Sequence, residues 1–250
     1  MRDSETNSPQ PRDGLADRPY SGYRAVARGV VDWLRSVAVA LVLFLVVRAW
    51  VVEAFKIPTG SMEGTLLVGD FLLVNKAVYG TDLRALGLHI PGFAEPEWGD
   101  VVVFHPPHEP EKNYVKRIVG VPHDTIEMRD KQLFRNGDAV EEPYARYIDR
   151  QGDAMHPDMR WQSNHLIAST RRRYEPTRDN WGPIVVPTGR YFVLGDNRDN
   201  SEDSRYWGFV ARDRIRGKPW RVYYSFDPVP QSRFAWLQTI RWDRLGAPIH

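Results

Sequence analysis

Two patterns of apolar and polar positions divide this chain. Ser36 to Val47 is an unbroken uncharged run, Ser-Val-Ala-Val-Ala-Leu-Val-Leu-Phe-Leu-Val-Val. Beyond it, apolar residues come in short β-branched and aromatic bursts bounded by Gly, Pro and Asp, the signature of strands. Such bursts predict strands over Asp70–Asn75, Val101–Phe104, Tyr114–Val119, Tyr191–Leu194 and Trp220–Phe226. No amphipathic helical pattern separates them and no internal repeat is present. The pattern predicts a mostly β, mixed or antiparallel domain behind one apolar helix. Arg146 to Pro183 is polar and weakly patterned, and reads as an insertion or cap over the β core.

The apolar run is short for a membrane span, which needs roughly 20 residues. Its flanks extend it. Trp33 and Trp50 bracket the run about 25 Å apart on a helix, as an aromatic belt would, and Arg35 and Arg48 lie where long side chains snorkel. A buried core helix or the apolar part of a cleaved signal are the competing readings. The second lacks a small-x-small cleavage site after the run. Arg12, Arg18, Arg24, Arg28 and Arg35 precede the run, against Arg48 and Lys56 after it. Positive charge on that side predicts a cytoplasmic N-terminus and an extracytoplasmic remainder on a single-pass plasma-membrane protein. The expected organisation is a disordered tail over 1–22, a transmembrane anchor over 23–52, a β-rich catalytic domain over 53–228 with its insertion at 146–183, and a C-terminal tail over 229–250. In that tail, Phe234, Trp236, Leu237, Ile240 and Trp242 are expected to dock on the domain rather than dip into the bilayer interface.

Composition narrows the function classes. The 250 residues carry a net charge of +2, with cations spread among acids, so nucleic acid is not an expected partner. There is no cysteine, which removes disulfides and thiolate metal sites. Lysines are few (Lys56, Lys76, Lys112, Lys116, Lys131 and Lys218). Each is notable, because arginine cannot be deprotonated to act as a base.

Ser61 lies in the Pro/Gly turn Ile57-Pro58-Thr59-Gly60-Ser61-Met62, just past the apolar segment. A serine nucleophile needs a base. Spacing alone is compatible with a Ser-His-Asp triad. The histidines, however, stand in loop contexts such as His105-Pro-Pro-His108 and His123, and they read as solvated rather than as metal ligands. The G-x-S-x-G pattern fails at Thr59 and the S-x-x-K pattern fails at Gly64. Lys116 is the better candidate. A strand through Tyr114-Val115-Lys116-Arg117-Ile118-Val119 points Tyr114, Lys116 and Ile118 to one face, where apolar neighbours would lower the amine's pKa. Arg117, on the other face, reads as solvent-facing. The Asp- and Asn-rich loop Asp196–Arg205 reads as a hydrogen-bonded structural loop rather than a calcium site.

Four segments occur in order after one apolar anchor. They are Phe55–Met62, Gly99-Asp100-Val101-Val102-Val103-Phe104, Tyr114–Pro122, and Gly195-Asp-Asn-Arg-Asp-Asn-Ser-Glu-Asp-Ser-Arg-Tyr-Trp-Gly208. Together they closely resemble the bacterial type I signal peptidases, over roughly Val37 to Asp227. The resemblance implies an antiparallel β-sheet fold on a membrane anchor and a serine endopeptidase that needs no cofactor or metal. Its implied partners are signal peptides ending in Ala-x-Ala, membrane lipid and, indirectly, the Sec or Tat export machinery. It implies Ser61 as nucleophile and Lys116 as general base. Thr59 would complete the oxyanion site with the Ser61 N–H, and Ser201 would orient the Lys116 amine. Asp203 and Arg205 would pair to hold the last loop. Phe55, Ile57, Pro58, Met62 and Val115 would line the substrate pockets.

The chain departs from that family pattern at three places. Thr59 stands for the commoner Ser, which keeps the hydroxyl. Gly64 stands for a Pro, which would loosen the turn. His123 stands for a Gly, which would cost energy if that position has positive φ. Two other function classes fit parts of the pattern. One is a LexA-type self-cleaving regulator, which would need a DNA-binding helix pair. The other is a membrane-anchored peptide-binding module without chemistry, which intact Ser61 and Lys116 argue against.

Overall fold

The computed structural model describes residues 20–50, 52–83, 88–149, 155–167, 174–228, 237 and 239–250. The chain divides into two compact units, 1–46 and 47–250. The first is dominated by α1 (Tyr20–Trp50), a helix of 31 residues. It begins inside the segment expected to be a disordered tail, and residues 1–19 lie outside the described ones. From Val26 to Phe44 its side chains are exposed. Among the described residues no helix is long and apolar enough to cross a membrane. The reason is visible in composition. The uncharged stretch Ser36–Val47 covers about 18 Å of helix, against about 30 Å of hydrocarbon, and Arg28, Asp32, Arg35 and Arg48 occupy the flanking turns.

The second unit is β. In chain order its strands are β1 (Val52–Lys56), β2 (Asp70–Asn75), β3 (Gly80–Leu83), β4 (Leu88–Pro91), β5 (Val101–Phe104), β6 (Tyr114–Gly120) and β7 (Thr125–Arg129). They continue with β8 (Gln132–Arg135), β9 (Asp138–Ala139), β10 (Trp181–Val185), β11 (Arg190–Leu194), β12 (Val210–Ala211) and β13 (Ile215–Ser225). A seven-stranded sheet runs β1-β2-β13-β5-β6-β11-β12, a four-stranded sheet runs β10-β7-β8-β9, and β3 and β4 form a hairpin. Every paired strand is antiparallel. The five strands expected from sequence all occur, and β13 starts five residues earlier than expected, at Ile215. The short, polar strands of the second sheet carry too little alternation to be read from sequence.

Burial explains the strand order. All four residues of β5 are buried, as a strand covered on both faces requires. Its neighbour β6 is buried from Lys116 to Gly120. An apolar cluster of Ile57, Met62, Leu66, Leu72, Val101 and Val103 lies under the Ser61 turn. Another, containing Ile126, Leu133, Trp181 and Phe192, belongs to the smaller sheet. The 146–183 segment feeds this second core: Met159 and Leu166 are buried in it, and Trp181 and Ile184 reach it from β10. Its described part is therefore built into the sheet rather than laid over it. The C-terminal residues also pack. Val222 and Ala247 bond, Ile249 N–H donates to the Trp220 carbonyl, and Ile249 joins the cluster beneath the Ser61 turn. Of the C-terminal aromatic cluster, Phe234 and Trp236 lie outside the described residues. Ile240 bridges to Phe226, while Leu237 and Trp242 are exposed.

Candidate active site

The Ser61 turn is fixed from both ends. Past β1, Ile57 N–H donates to the Asp70 carbonyl at 2.8 Å and Gly69 N–H returns to the Ile57 carbonyl at 3.0 Å. Pro58 cannot donate, so the ladder stops there. Thr59, in extended conformation, leads into a single 3₁₀ turn over Gly60–Met62. Met62 is 1% exposed and anchors the turn in the core. Ser61 is thereby held at the surface of a buried cluster.

Lys116 projects from β6, which lies between β5 and β11 and is not an edge. Its Nζ lies 2.5 Å from Ser61 Oγ. The side chain is buried, and burial is the main reason its pKa falls to about 8. The Asp203, Asp196 and Glu202 carboxylates oppose that fall and Arg205 adds to it. At a pKa of about 8, roughly one amine in ten is neutral at pH 7, against about one in three thousand at 10.5. Among the described residues, Ser61 Oγ has no other hydrogen-bond partner, and no histidine touches it.

Two donors are left open beside the nucleophile. Among the described residues, neither the Ser61 N–H nor the Thr59 hydroxyl makes an intramolecular hydrogen bond, and Thr59 is exposed at the groove. Unused donors next to an activated hydroxyl are what a developing oxyanion requires.

The loop after β11 clamps the turn. Asn197 N–H donates to the Ser61 carbonyl at 3.1 Å, and its side-chain amide donates to the Gly60 carbonyl at 3.2 Å. A Cβ at Gly195 would collide with the Ser61 carbonyl and the Ser201 side chain, so this approach depends on glycine. Asp203 and Arg205 form a buried two-pronged pair, Nε–Oδ1 and Nη2–Oδ2 both at 2.8 Å. Burial would raise the Asp203 pKa, but the Arg205 guanidinium outweighs it and keeps the carboxyl below its ordinary range. Asp203 also accepts from Gly195 N–H at 3.1 Å, which ties the pair to the clamp.

Ser201 departs from expectation. It is buried beside the site, but its Oγ makes no hydrogen bond among the described residues, to Lys116 or elsewhere. It approaches Asp203 closely enough to favour the carboxylate, without hydrogen-bond geometry. The Lys116 amine is aimed instead by its bond to Ser61.

Arg117 corrects the sequence reading more strongly. Expected to face solvent, it is 1% exposed. Its Nε and Nη2 reach Asp196 at 2.9 and 2.8 Å, Nη1 reaches the Gly99 carbonyl at 2.8 Å, and Nη2 reaches the His250 carbonyl at 2.9 Å. Thr65 Oγ1 also donates to Asp196 at 2.6 Å. Arg117, Asp196 and Asn197 are the site-supporting residues that sequence reasoning did not single out. The signal was the unbroken apolar β5: a strand beside it is internal, and an arginine there needs a buried partner.

A groove of about 670 Å³ passes over the dyad. Phe55, Ile57, Pro58, Met62 and Val115, the five residues expected to line pockets, all line it, with Thr59, Ser61 and Lys116. Among the described residues no group of acidic and histidine side chains has the arrangement of a metal site.

The signal peptidase family, peptidase S26, matches residues 30–224. A signal peptidase I of Pseudomonas aeruginosa is 41% identical over 217 residues, covering 80% of this chain and 74% of that protein. That of Pseudomonas fluorescens is 40% identical, covering 81% and 75%. That of Buchnera aphidicola (subspecies Acyrthosiphon pisum) is 31% identical, covering 86% and 82%. The family match spans the Ser61 turn, the Lys116 strand and the loop after β11 alike, and the chain belongs to the signal peptidase family, peptidase S26, as a serine endopeptidase.

Proposed function

We propose that this peptidase removes signal peptides from exported preproteins, cutting after an Ala-x-Ala-like end through a Ser61–Lys116 dyad. The 2.5 Å contact between Ser61 Oγ and a buried Lys116 Nζ with a lowered pKa carries the reading. The relatives named signal peptidase I support the substrate class.

In this mechanism the neutral Lys116 amine takes the Ser61 hydroxyl proton as Oγ attacks the scissile carbonyl. Negative charge on the carbonyl oxygen is met by the Ser61 N–H and the Thr59 hydroxyl. The Lys116 ammonium then protonates the leaving amine and an acyl-enzyme remains. Lys116, neutral again, removes a proton from water, which attacks the ester and frees Ser61. The residues before the scissile bond lie extended in the groove. Its apolar floor of Phe55, Ile57, Pro58, Met62 and Val115 suits alanine-sized side chains. The Asp203–Arg205 pair and Asn197 keep Ser61 and Lys116 in register during the reaction. The dyad, in this reading, works without cofactor.

The reading includes membrane attachment through α1, with the N-terminus cytoplasmic and the β unit outside. Val30, Leu34, Leu41 and Phe44 are exposed on that helix and find apolar surroundings in lipid. The arginines before the apolar run stay on the cytoplasmic side. Holding enzyme and tethered preprotein at one surface raises their effective concentration. Membership in the peptidase family sets aside the self-cleaving regulator and the binding module.

The decisive assay is cleavage of a preprotein ending its signal in Ala-x-Ala by wild type, Ser61→Ala and Lys116→Ala. Wild type is expected to cut once and both variants to be inactive though folded. Full activity in either variant would sink the dyad. For attachment, the full chain should stay with membranes after alkaline carbonate washing; release into the supernatant would contradict a spanning helix.

A further inference from the structure

The groove over the dyad has a charge pattern that the apolar floor does not explain. Among the described residues, the charged ones lining it are Lys56, Lys112, Lys116 and Glu202. Three of them are engaged. Lys112 pairs with Glu109 at 2.7 Å, Lys56 lies over the Phe71 and Phe226 rings, and Lys116 meets Ser61. Glu202 is exposed and, among the described residues, its carboxylate makes no hydrogen bond or ion pair. It is the one acid lining the groove, and it acts through space on both Lys116 and Tyr114.

Beyond Glu202 the surface opens into a second depression of about 420 Å³. Asn200 and Glu202 line both concavities, so they form the ridge between them. Around the depression stand His156, Asp158, Asp199 and Tyr206. Asp199 is neutralised by Lys131 at 3.1 Å and Arg178 at 3.3 Å. Asp158, with a side chain 73% exposed, faces only the His156 ring at 3.7 Å. Among the described residues lining this depression there is no lysine or arginine. With the residues before the scissile bond in the apolar groove, as in the reading above, the Asn200–Glu202 ridge is the polar rim that borders the same groove as Ser61 and Lys116.

We propose that Glu202 is a specificity-determining residue that selects a basic side chain among the first residues after the scissile bond, bound at the ridge and its neighbouring depression. This rests on the peptide-cleaving reading above. The chemistry is that of one uncompensated carboxylate, aided by Asp158, at the rim of the groove that holds Ser61 and Lys116. An exposed ion pair of this kind is weak, so attraction of lysine and repulsion of glutamate together give about a tenfold discrimination. It also fades with salt.

The test uses the full-length enzyme in detergent and peptides that share one Ala-x-Ala end. They differ only in carrying Lys or Glu at the first, second or third residue after the bond. Wild type should favour the Lys peptide in kcat/KM by about tenfold at low salt at one of these positions. Glu202→Gln should reduce the ratio to about twofold, and Glu202→Lys should invert it. A ratio in Glu202→Gln equal to that of wild type overturns the proposal. So does a preference that disappears in Asp158→Asn but survives Glu202→Gln, or one seen only for residues before the bond. Cleavage of all peptides without discrimination overturns this inference alone, whereas failure to cleave any of them overturns the signal-peptide reading with it.

Discussion

Asp196 accepts two hydrogen bonds from Arg117, at 2.9 and 2.8 Å, across a fully buried contact. The residue before Arg117 is Lys116, and the residue after Asp196 is Asn197, whose N–H holds the Ser61 carbonyl. One ion pair therefore fixes the strand of Lys116 against the loop that holds the Ser61 carbonyl. Removing one partner of a buried pair leaves an uncompensated charge and costs about 3–5 kcal/mol. Asp196→Asn should lower the melting temperature by about 10 °C for a domain of this size and reduce kcat. Calorimetry together with peptide cleavage checks both. A variant with unchanged melting and activity would show that the pair is dispensable.

The depressed Lys116 pKa has two readouts in different pH windows. Activity needs the neutral amine, so kcat/KM should rise about tenfold per pH unit below about 8 and level off above it. Stability runs differently. Unfolded, the lysine stays protonated up to its ordinary 10.5; folded, only up to about 8. Below about pH 8 the folded chain carries the full penalty of a buried ammonium, on the order of 3 kcal/mol. Between 8 and 10.5 the unfolded state holds more protons, so that penalty fades as pH rises. Lys116→Met should be inactive yet melt higher than wild type at pH 7, with the gain gone by about pH 10.5. Thermal melts across that range decide it.

Thr59→Val keeps the β-branch and removes one of the two free donors. If that hydroxyl meets the oxyanion, kcat should fall about a hundredfold with KM little changed. An equal fall in substrate affinity would place the hydroxyl in binding instead.

Gly64 answers the question raised by its departure from proline. Its φ is +118°, and a Cβ there would stand 2.7 Å from the Tyr144 carbonyl oxygen. Proline fixes φ near −65° and cannot adopt this turn. The glycine is thus required by a tight turn, not the cause of a loose one. Gly64→Ala should cost more than about 2 kcal/mol and Gly64→Pro more still, read from denaturant midpoints.

His123 is the converse case. It sits at φ 75°, where a side chain is strained. Its ring reaches Thr188 only at 3.4 Å. His123→Gly relieves about 1 kcal/mol, less some entropy of the unfolded chain, and should raise the melting temperature by about 2 °C.

Much of this protein was legible in its order of residues. The five strands seen from sequence are those where β-branched and aromatic residues concentrate between Gly, Pro and Asp, because local propensity and burial agree there. Ser61, Lys116 and the groove residues, far apart in the chain, were legible from short motifs, and the fold brings them together. The strands from β7 to β10 were not visible, since their polar faces leave little alternation to read. Tertiary structure alone decided that Arg117 is buried and paired, that Ser201 leaves Lys116 to Ser61, and that Gly64 turns tightly. The reason is physical. Propensity and motif act over a few residues, whereas the fate of a charge or a hydroxyl depends on what distant chain brings beside it, as for Arg117 and Asp196, 79 positions apart.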